Sequence, residues 1–326
     1  MHKGKTINVA CACDDSYAQH AGVMIYSLLK NCSDPKKIHI FVIDNGIKKE
    51  NKKKIKKLVE DFSSKISLVN ANKKQVENIQ ERKYYGISTY FRLLLPKQTN
   101  CDKILYLDSD LLVEGDILSL RKLSFEKNFA MAVPDDPQTQ EEQKDLLGMK
   151  DESIYFNAGV LYINCKKWRE GRTGPKIIKF LESNPEKIIY ADQDGINKVL
   201  EKKIKGLDIS WNVQPVFYND KSLEKIYGKE KIEKIKLKPN IIHFSSRFKP
   251  WHYRCIHPKK RKYWAYLRET PWNDYSCPDK GLLFMTQKLF LFVLMKIPKP
   301  LKHQVEKVLK TVNLSSLINK IKSLSR

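Results

Sequence analysis

Along most of this chain, short apolar runs alternate with segments in which apolar positions recur every three or four residues. The apolar runs predict buried strands over Thr6–Cys13, Ile38–Ile43, Ile66–Val69, Lys103–Leu107, Ala130–Pro134, Phe156–Asn164 and Lys238–Phe244. The helical spacing predicts helices over Ala18–Leu29, Lys48–Phe62, Ser88–Leu95, Trp168–Leu181 and Gln193–Leu200. This alternation is typical of an α/β protein whose sheet is covered by helices.

Turn and capping residues mark the ends of several of these elements. Asp14-Asp15-Ser16 predicts the N-cap of the first helix, and Asp44-Asn45-Gly46 predicts a turn after the second strand. Pro96 is expected to end the helix over Ser88–Leu95. Asp192-Gln193-Asp194 opens a helix and, taken alone, predicts acidic residues that stabilise the helix dipole.

The chain shows no repeat of fixed period and no clear linker before about Ser276. Its 326 residues, 41% of them hydrophobic, are enough for a large core. We therefore expect one domain over residues 1–275 and a C-terminal extension over residues 276–326.

A strong positive charge adds a second kind of information. The chain has 61 Lys and Arg against 37 Asp and Glu, a formal net charge of +24. From Arg247 to Arg326, 18 basic and 4 acidic residues supply +14 of that charge. Such an excess predicts an anionic partner, which means nucleic acid, a phosphorylated substrate or acidic lipid.

The seven cysteines are odd in number and form no C-x-x-C pair. We interpret them as buried, reduced thiols of a cytosolic protein rather than as a zinc site or a disulfide framework. The N-terminal residues lack the apolar core of a signal peptide. No apolar stretch approaches the ~20 residues needed to span a bilayer. The expectation is a cytoplasmic chain that can still touch a membrane.

The basic C-terminal extension has its own pattern. From Lys280 to Arg326 there are 10 basic residues and one acidic residue. Apolar residues follow helical spacing between the lysines, at Leu301, Val305, Val308, Leu309 and Val312. A basic amphipathic helix suits an anionic membrane surface. The alternative is a helix that packs on the preceding domain or on another subunit.

Asp108-Ser109-Asp110 directly follows the predicted strand over Lys103–Leu107. Residues i and i+2 of an extended segment face the same way, so the two carboxylates can project together. Open α/β sheets bind ligands beyond the carboxyl ends of their strands. Two oxygen donors at that place suit Mg²⁺ or Mn²⁺ bridging a diphosphate. The alternative is a solvated turn at the strand end.

Three further residues have two interpretations each. His243 ends a comparable strand and could be a third metal ligand, although a lone histidine is more often packed or on the surface. Gly159 indicates a close backbone approach, to a ligand or to a neighbouring strand. Arg92 could face an anion, but exposure to solvent is the simpler interpretation. The chain lacks a P-loop and a G-x-G-x-x-G motif, which argues against kinases and dehydrogenases.

Taken together and in order, the polar segments resemble glycosyltransferase family 8, the retaining nucleotide-sugar transferases with a GT-A fold. The resemblance spans about residues 7–272, and its similarity is strongest to bacterial lipopolysaccharide and lipooligosaccharide galactosyl- and glucosyltransferases. The motifs that carry it are Ala12–Tyr17, Tyr90–Pro96, Leu105–Asp110, Phe156–Leu161, Asp192–Asn197, His243-Phe244 and Lys249–Trp251. Each motif is weak alone, whereas the ordered set is highly specific.

The resemblance implies a role for each matching residue. Asp108, Asp110 and His243 are implied as ligands of Mn²⁺, with Mg²⁺ as a second option. The implied donor-binding residues are Asp14, Ser16, Tyr17, Arg92, Asp108, Ser109, Asn157, Ser246 and Lys249. Among them, Tyr17 would stack on uracil and Lys249 would hold the diphosphate. Gln193 and Asp192 are implied at the anomeric centre, and Asp135 on the acceptor side.

Two positions differ from the usual family pattern. Ser16 stands where relatives often have Asn, and Ser246 stands where a Gly commonly lets the backbone approach the phosphates.

The implied architecture is a Rossmann-like mixed sheet flanked by helices, with a family C-terminal segment at about residues 247–275 and a basic helical extension. The implied activity is transfer of galactose or glucose from UDP-galactose or UDP-glucose to a hydroxyl of a lipopolysaccharide or other lipid-linked glycan acceptor. The tail would place the enzyme peripherally on the inner face of the cytoplasmic membrane. The alternative is a basic nucleic-acid-binding protein without transferase activity, because aromatic and basic residues interleave over Trp251–Trp272. Nucleic acid is not expected as a partner.

Overall fold

The computed structural model describes residues 6–80 and 85–279. Within those residues the chain forms nine strands: β1 Ile7–Cys13, β2 Ile38–Asp44, β3 Lys65–Asn70, β4 Lys103–Leu107, β5 Leu111–Val113, β6 Ala130–Pro134, β7 Phe156–Asn164, β8 Ile204–Gly206 and β9 Ile241–His243. All seven predicted strands are present. β5 and β8, of three residues each, were not predicted.

The same residues form α-helices and several short 3₁₀ turns. The α-helices are α1 Ala18–Lys30, α2 Lys49–Asp61, α3 Leu95–Gln98, α4 Pro137–Leu147, α5 Cys165–Glu170, α6 Thr173–Ser183, α7 Asp192–Val199, α8 Val216–Asn219, α9 Leu223–Tyr227, α10 Lys229–Leu237 and α11 Lys260–Arg268. The 3₁₀ turns are Pro35–Lys37, Lys73–Gln75, Ile87–Leu93, Ile117–Lys122, Pro185–Lys187 and Ile209–Trp211.

Seven strands form one mixed sheet in the order β3-β2-β1-β4-β7-β6-β8. β3, β2, β1 and β4 are parallel, β7 runs antiparallel to β4 and β6, and β8 is parallel to β6. Because β6 is thereby parallel to β1 and β4, the residues that follow these three strands emerge at the same edge of the sheet. This edge is where an open α/β sheet places its ligand site.

The long antiparallel strand β7 is almost completely buried. Eight of the nine residues of β7 are buried, as the continuous apolar run predicts for a strand covered on both faces. β3, by contrast, lies at the edge of the sheet and has no fully buried residue. A large apolar cluster includes buried residues of the 3₁₀ turn Ile87–Leu93, of helices α6 and α7 and of strands β4 and β7. The sheet edge at which β4 ends is therefore supported by a closely packed apolar core.

Asp136 and Gly148 show how sequence sets the bounds of α4. The Asp136 carboxylate caps the helix by accepting from Thr139 N at 3.0 Å, and Pro137 occupies the first turn. Gly148 ends the helix in the left-handed region at φ +59°, where a residue with a Cβ atom is strained. The capping residue Asp136 thus directly follows Asp135, which belongs to the candidate site described below.

The prediction of one helix over Ser88–Leu95 that ends at Pro96 is wrong. The segment Ile87–Leu93 is a 3₁₀ turn, and Pro96 lies in the first turn of the short helix α3. Proline is accepted there because the first helical N–H groups have no partner within the helix.

The prediction of one helix over Trp168–Leu181 is also wrong, because the segment is broken into α5 and α6. The break lies at Gly171-Arg172, where Arg172 adopts φ +51°. A Cβ atom on Gly171 would lie 2.7 Å from the ring of Phe129. Close packing on Phe129 therefore accounts for glycine at the corner.

The predicted N-cap at Asp14-Asp15-Ser16 needs a correction. The residue before α1 is Tyr17, and its side chain makes no capping bond. Asp14 instead accepts from Tyr17 N at 3.0 Å, and Asp15 accepts from Lys48 N at 2.8 Å. These carboxylates order the loop after β1 rather than the helix end.

β5 and β9 form a separate two-stranded antiparallel sheet. Leu111 is paired with His243, and Val113 with Ile241. His243 N also donates to Val213 O at 3.0 Å. This pairing brings His243 beside Asp110, although 132 residues separate the two along the chain.

The chain divides into two compact units with the boundary between His243 and Phe244. In the second unit, the aromatic residues predicted as a family segment pack on one another. Trp251 contacts Tyr263, and Trp264 Nε1 donates to Pro250 O at 3.0 Å. Arg254 pairs with Asp279 at 3.1 Å.

The helices within the described ranges fall short of the combined length and apolar character that a bilayer crossing requires. Of the tail predicted over residues 276–326, residues 280–326 lie outside the described residues. The domain boundary at residues 275/276 and the membrane role of the tail therefore stay predictions.

Candidate functional site

The polar residues singled out in the sequence gather at one edge of the seven-stranded sheet. Asp14 follows β1, Asp108 follows β4 and Asp135 follows β6, and these strands run in the same direction. Asn157 lies near the start of the antiparallel β7 and so reaches the same edge. Topology alone accounts for this convergence, since these residues are far apart in the chain.

Asp108, Asp110 and His243 form a group with the chemistry of a metal site. One ligand atom from each residue lies within 4.8 Å of the other two. His243 Nε2 is 3.4 Å from Asp110 Oδ1, and the imidazole is 4% exposed. Two carboxylates and one neutral imidazole suit Mn²⁺ or Mg²⁺. The assignment of these three residues as metal ligands stays a prediction.

Gly159 lies directly against this group. A Cβ atom on Gly159 would be 2.4 Å from His243 Cε1 and 2.9 Å from Asp108 Oδ2. The backbones of Gly159 and Asp108 are also in direct contact, because Asp108 N donates a hydrogen bond to Gly159 O at 2.9 Å. The close approach that the glycine predicts is therefore to the side chains of two candidate metal ligands.

Arg92 is buried, and the interpretation of an exposed Arg92 is wrong. Its guanidinium is 4% exposed and lies 3.0 Å from Asp108 Oδ1 and 2.9 Å from Asp192 Oδ2. It also donates to Ala158 O at 2.5 Å and lies over the ring of Tyr106. A buried cation is stable only when it is paired in this way. Arg92 connects the metal group to the start of α7.

Asp192 is almost completely buried at 1% exposure. Burial raises its pKa to about 6, and the charge of Arg92, which is shared with Asp108, only partly offsets that rise. Thr89 Oγ1 donates to Asp192 Oδ1 at 3.0 Å and accepts from Arg92 Nη2 at 2.7 Å. Asp192 is thus a paired, hydrogen-bonded group and not a solvated residue at a helix end.

Asp194 lies in the first turn of α7, as predicted, but its hydrogen bonds are made to residues outside the helix. Its Oδ2 accepts from the backbone N–H groups of Ile189 and Tyr190, both at 2.7 Å, which lie before α7. Its Oδ1 accepts from the Tyr155 hydroxyl at 2.5 Å. Burial and the nearby Asp194 charge raise the pKa of Tyr155 well above its ordinary value. Asp194 therefore holds the loop before α7 in place beside Gln193.

The side chain of Gln193 is fixed at both ends. Its Oε1 accepts from Ala158 N at 2.9 Å. Its Nε2 donates to Asp135 Oδ2 at 2.8 Å and lies 3.1 Å from the Tyr155 hydroxyl. The amide is thereby held rigidly at the sheet edge, where the resemblance expects the anomeric carbon of a donor sugar.

Asp135 receives hydrogen bonds at both of its oxygens. Oδ2 accepts from Gln193 and from Asn157 Nδ2, and Oδ1 accepts from Gln214 Nε2 at 3.0 Å and from Asp136 N at 2.9 Å. Burial raises its pKa above the ordinary value, and these donors oppose that rise. The structure therefore places Asp135 as a hydrogen-bonded anchor under Gln193. Its assignment to the acceptor side stays a prediction.

The loop after β1 carries the residues predicted to bind uridine. Asp14 Oδ1 accepts from Ser16 Oγ at 2.7 Å, which orders the turn. The Tyr17 ring is 41% exposed and lies edge-on to His20. Ser109 Oγ lies 3.5 Å from Ala12 O and so joins this loop to the aspartate turn. The roles of Asp14, Ser16, Tyr17 and Ser109 in donor binding stay predictions.

Ser246 and Lys249 belong to the second compact unit. Ser246 Oγ donates to Phe248 O at 3.3 Å, and Lys249 Nζ donates to Phe244 O at 2.9 Å. Their contact with a nucleotide diphosphate is a prediction from the resemblance.

Besides Tyr155 and Gln214, two further residues of the site were not predicted. Thr89 links Arg92 to Asp192, and Asn212 accepts a hydrogen bond from the His243 imidazole. A polar residue between the apolar Trp211 and Val213 is the only signal of Asn212 in the sequence, and Asn212 belongs to none of the motifs discussed above.

A family model described as "Glycosyl transferase family 8" matches residues 8–255 of the chain. Among characterised proteins, General stress protein A of Bacillus subtilis (strain 168) is 29% identical over 284 residues, which cover 85% of this chain and 99% of that protein. Lipopolysaccharide 1,2-glucosyltransferase of Escherichia coli (strain K12) is 28% identical over 305 residues, which cover 91% of this chain and 88% of that enzyme.

The fold is shared with a galactosyltransferase whose crystal structure holds donor and acceptor sugar analogues. The two structures are similar with a TM-score of 0.72 at 24% sequence identity, over 86% of this chain and 100% of the other. The predicted GT-A architecture, a mixed sheet flanked by helices, is thereby confirmed.

Proposed function

The chain belongs to glycosyltransferase family 8, and from that premise we propose that it transfers galactose or glucose from a UDP-sugar to a hydroxyl of a lipid-linked surface glycan, with Mn²⁺ as cofactor and with retention of configuration. One observation carries this proposal, namely the group of Asp108, Asp110 and His243 at the ligand edge of the sheet. One of the relatives named above is a lipopolysaccharide 1,2-glucosyltransferase. These relatives give the nucleic-acid alternative no support.

The residues present fit a divalent cation. Asp108, Asp110 and His243 offer hard oxygens and one imidazole nitrogen, a set that Mn²⁺ accepts and that Mg²⁺ accepts less readily because of the nitrogen. When bound, the ion neutralises charge that grows on the leaving diphosphate. The buried guanidinium of Arg92 pairs with one oxygen of Asp108. The carboxylate therefore keeps its orientation when a ligand contacts it.

At the sugar end of the site, Gln193 is the group we place next to the anomeric carbon. An oxocarbenium-like state carries positive charge, which a fixed amide oxygen stabilises electrostatically. Gln193 Oε1 is held by Ala158 N, so its dipole needs no reorganisation during the reaction. Asp192, which precedes Gln193, contributes a negative charge, and the Arg92 guanidinium pairs with its carboxylate. The acceptor hydroxyl then attacks from the face that the diphosphate leaves.

We assign the uridine of the donor to the loop after β1. Tyr17 offers an exposed aromatic face to uracil, and Asp14 orders the turn that carries it. Lys249 would add a cation to the diphosphate, as the resemblance implies. These residues account for only a small part of the +24 charge.

We infer that most of the +14 charge carried by residues 247–326 serves docking on an anionic membrane. The residues from Lys280 onward carry 10 basic side chains and one acid, interleaved with apolar positions. A lipid-linked acceptor lies at such a surface, so a peripheral location on the inner face of the cytoplasmic membrane follows from the proposed substrate.

The proposal is tested by the slow hydrolysis of donors, which needs no acceptor. The full chain is incubated with UDP-galactose, UDP-glucose and other UDP-sugars in the presence of Mn²⁺, and released UDP is measured. We expect release from one hexose donor, its loss in EDTA and its return with added Mn²⁺. The anomeric configuration of the first-formed sugar should match that of the donor. UDP release that is equally fast in EDTA would overturn the metal assignment, and no release from any UDP-sugar would overturn the donor class.

A further inference from the structure

A line of hydrogen bonds runs from the backbone of β7 to the imidazole of His243. Gly159 N donates to Asn157 Oδ1 at 3.0 Å, and Asn212 Nδ2 donates to the same oxygen at 2.9 Å. Asn212 Oδ1 lies 2.9 Å from His243 Nδ1. All four residues are buried or lack a side chain, so each polar group needs a hydrogen-bond partner in the protein interior.

The orientation of the Asn157 amide is set at both ends. Gly159 N–H can only donate, so the atom of Asn157 that faces it must be the oxygen. At the other end, Asn157 Nδ2 lies 3.2 Å from Asp135 Oδ2, a carboxylate oxygen that can only accept in its ionised form. The two ends require the same orientation.

The orientation of Asn157 then decides that of Asn212. The Asn157 oxygen faces Asn212, so Asn212 must present its nitrogen there and its oxygen on the opposite side. Asn212 is 0% exposed, so no water molecule can replace a lost partner. A reversed Asn212 amide would place oxygen against oxygen at Asn157.

The direction of donation along these hydrogen bonds also decides which nitrogen of the His243 imidazole carries the proton. Asn212 Oδ1 can only accept, so His243 Nδ1 must carry the proton and donate it. In the neutral ring the other nitrogen, Nε2, then has a free lone pair. Nε2 is the nitrogen that lies 3.4 Å from Asp110 Oδ1, inside the group of candidate metal ligands.

We propose that Asn212, held by Asn157 and Gly159 N–H, is a positioning residue that keeps His243 in the tautomer able to bind the metal. The proposal rests on the proposed metal site. A free imidazole in water favours the opposite tautomer, with the proton on Nε2, which would have to be lost from that nitrogen before a metal could bind. A partner that fixes the tautomer and the ring orientation raises metal affinity.

The first test uses the unmodified, metal-free protein. The chain is labelled with ¹⁵N-histidine, and long-range ¹H–¹⁵N correlation spectra are recorded at a pH at which the imidazole is neutral. The His243 signals are identified by their absence from His243→Gln. We expect a protonated Nδ1 and an unprotonated Nε2. A protonated Nε2 in the unmodified protein overturns the proposal, whatever the variants do.

The second test removes the acceptor with Asn212→Leu, a change of similar volume. We expect a mixture of tautomers at His243 and a loss of Mn²⁺ affinity of about 10- to 100-fold, measured by calorimetry or by electron paramagnetic resonance of free Mn²⁺. The matched control is Asn128→Leu, because Asn128 is also a buried asparagine but donates only to Phe125 O, far from His243 in the hydrogen-bond network. The control should keep the unmodified affinity and tautomer.

The outcomes separate this proposal from the proposed function. If Asn212→Leu matches the control in thermal stability, tautomer and Mn²⁺ affinity, the positioning role is wrong while the metal site stands. If the unmodified protein has the Nδ1–H tautomer but does not bind Mn²⁺, the proposed metal function fails and the structural role of Asn212 stands.

Discussion

Gly159 and His243 are packed so closely that a Cβ atom on the glycine would lie 2.4 Å from Cε1 of the imidazole. Real Cβ contacts are never this short, so the histidine ring must move if the position carries any side chain. The same Cβ atom would lie 2.9 Å from Asp108 Oδ2. The absence of a side chain at residue 159 is thus a condition for the geometry of two candidate metal ligands.

We expect Gly159→Ala to lower Mn²⁺ affinity by at least about tenfold and to destabilise the fold by about 1–3 kcal/mol through overpacking. Calorimetric Mn²⁺ titration and urea unfolding measure the two effects. Gly206→Ala is the matched control, since Gly206 also lies in a strand and a Cβ atom there would have nothing within 4 Å. Equal Mn²⁺ affinity in the two variants would contradict the expectation.

We expect Asp110→Ala to abolish sugar transfer and donor hydrolysis in the presence of Mn²⁺, because it removes one of three ligands. Released UDP is the measurement. Asp61→Ala, at an exposed carboxylate at the end of α2, is the control and should retain full activity. Undiminished turnover in Asp110→Ala would remove Asp110 from the metal site.

The buried Arg92–Asp192 pair predicts a strong energetic coupling. Arg92→Met leaves the Asp192 carboxylate buried without its cation, and we expect a cost of about 3–5 kcal/mol in the free energy of unfolding. Adding Asp192→Asn to Arg92→Met should recover part of that loss. A double-mutant cycle by urea unfolding measures the coupling. Strictly additive effects of the two substitutions would show that the pair contributes nothing beyond its separate residues.

Asp44 predicts a dependence of stability on pH. Burial acts to raise its pKa, but the ion pair with Lys52 and the N–H groups of Ile47 and Gly46 outweigh burial and lower it. Because the pKa is lower in the folded state, the stabilisation is present above the unfolded value of about 3.9 and is lost as the pH falls through the folded value.

We therefore expect Asp44→Asn to cost about 1 kcal/mol at pH 7 and progressively less below about pH 4. Urea unfolding across this pH range gives the difference between the two proteins. Asp61→Asn should show almost no difference at any pH, because its ion pair with Lys57 is exposed. A difference in the free energy of unfolding between Asp44→Asn and the unmodified protein that stays constant with pH would show that the effect comes from packing and not from charge.

The basic tail is tested by truncation after Asp279. Ending the chain there preserves the Arg254–Asp279 ion pair of the second unit. We expect the truncated protein to lose co-sedimentation with vesicles that contain anionic lipid while it retains donor hydrolysis. The full chain should bind less to the same vesicles as the salt concentration rises. Unchanged co-sedimentation after truncation would refute the membrane role of the tail.

Apolar patterning in the sequence predicted the strands well, because a buried strand is defined by its own residues. The bounds Ala130–Pro134 and Phe156–Asn164 are confirmed to the residue. Breaks were harder to predict. The corner at Gly171-Arg172 depends on the ring of Phe129, which lies some 40 residues earlier in the chain.

The candidate site could be predicted only as far as its residues belong to motifs. The resemblance brought Asp108, Asp110 and His243 together, whereas spacing alone left each with a simpler interpretation. Arg92 was judged exposed because its two carboxylate partners come from distant strands and helices. Asn212 went unnoticed for the same reason, since its importance lies in a hydrogen bond to a residue 31 positions later.

The pairing of β5 with β9 sets an order for the assembly of this site. Asp108 and Asp110 leave the ribosome more than 130 residues before His243, and β9 is the last strand among the described residues. Contacts this far apart in sequence form late in folding. A nascent chain that stops before β9 holds two carboxylates without their imidazole, so the complete ligand set arises only once nearly the whole first unit has been synthesised. Under the proposed function, binding of the metal ion would therefore follow the synthesis of this unit.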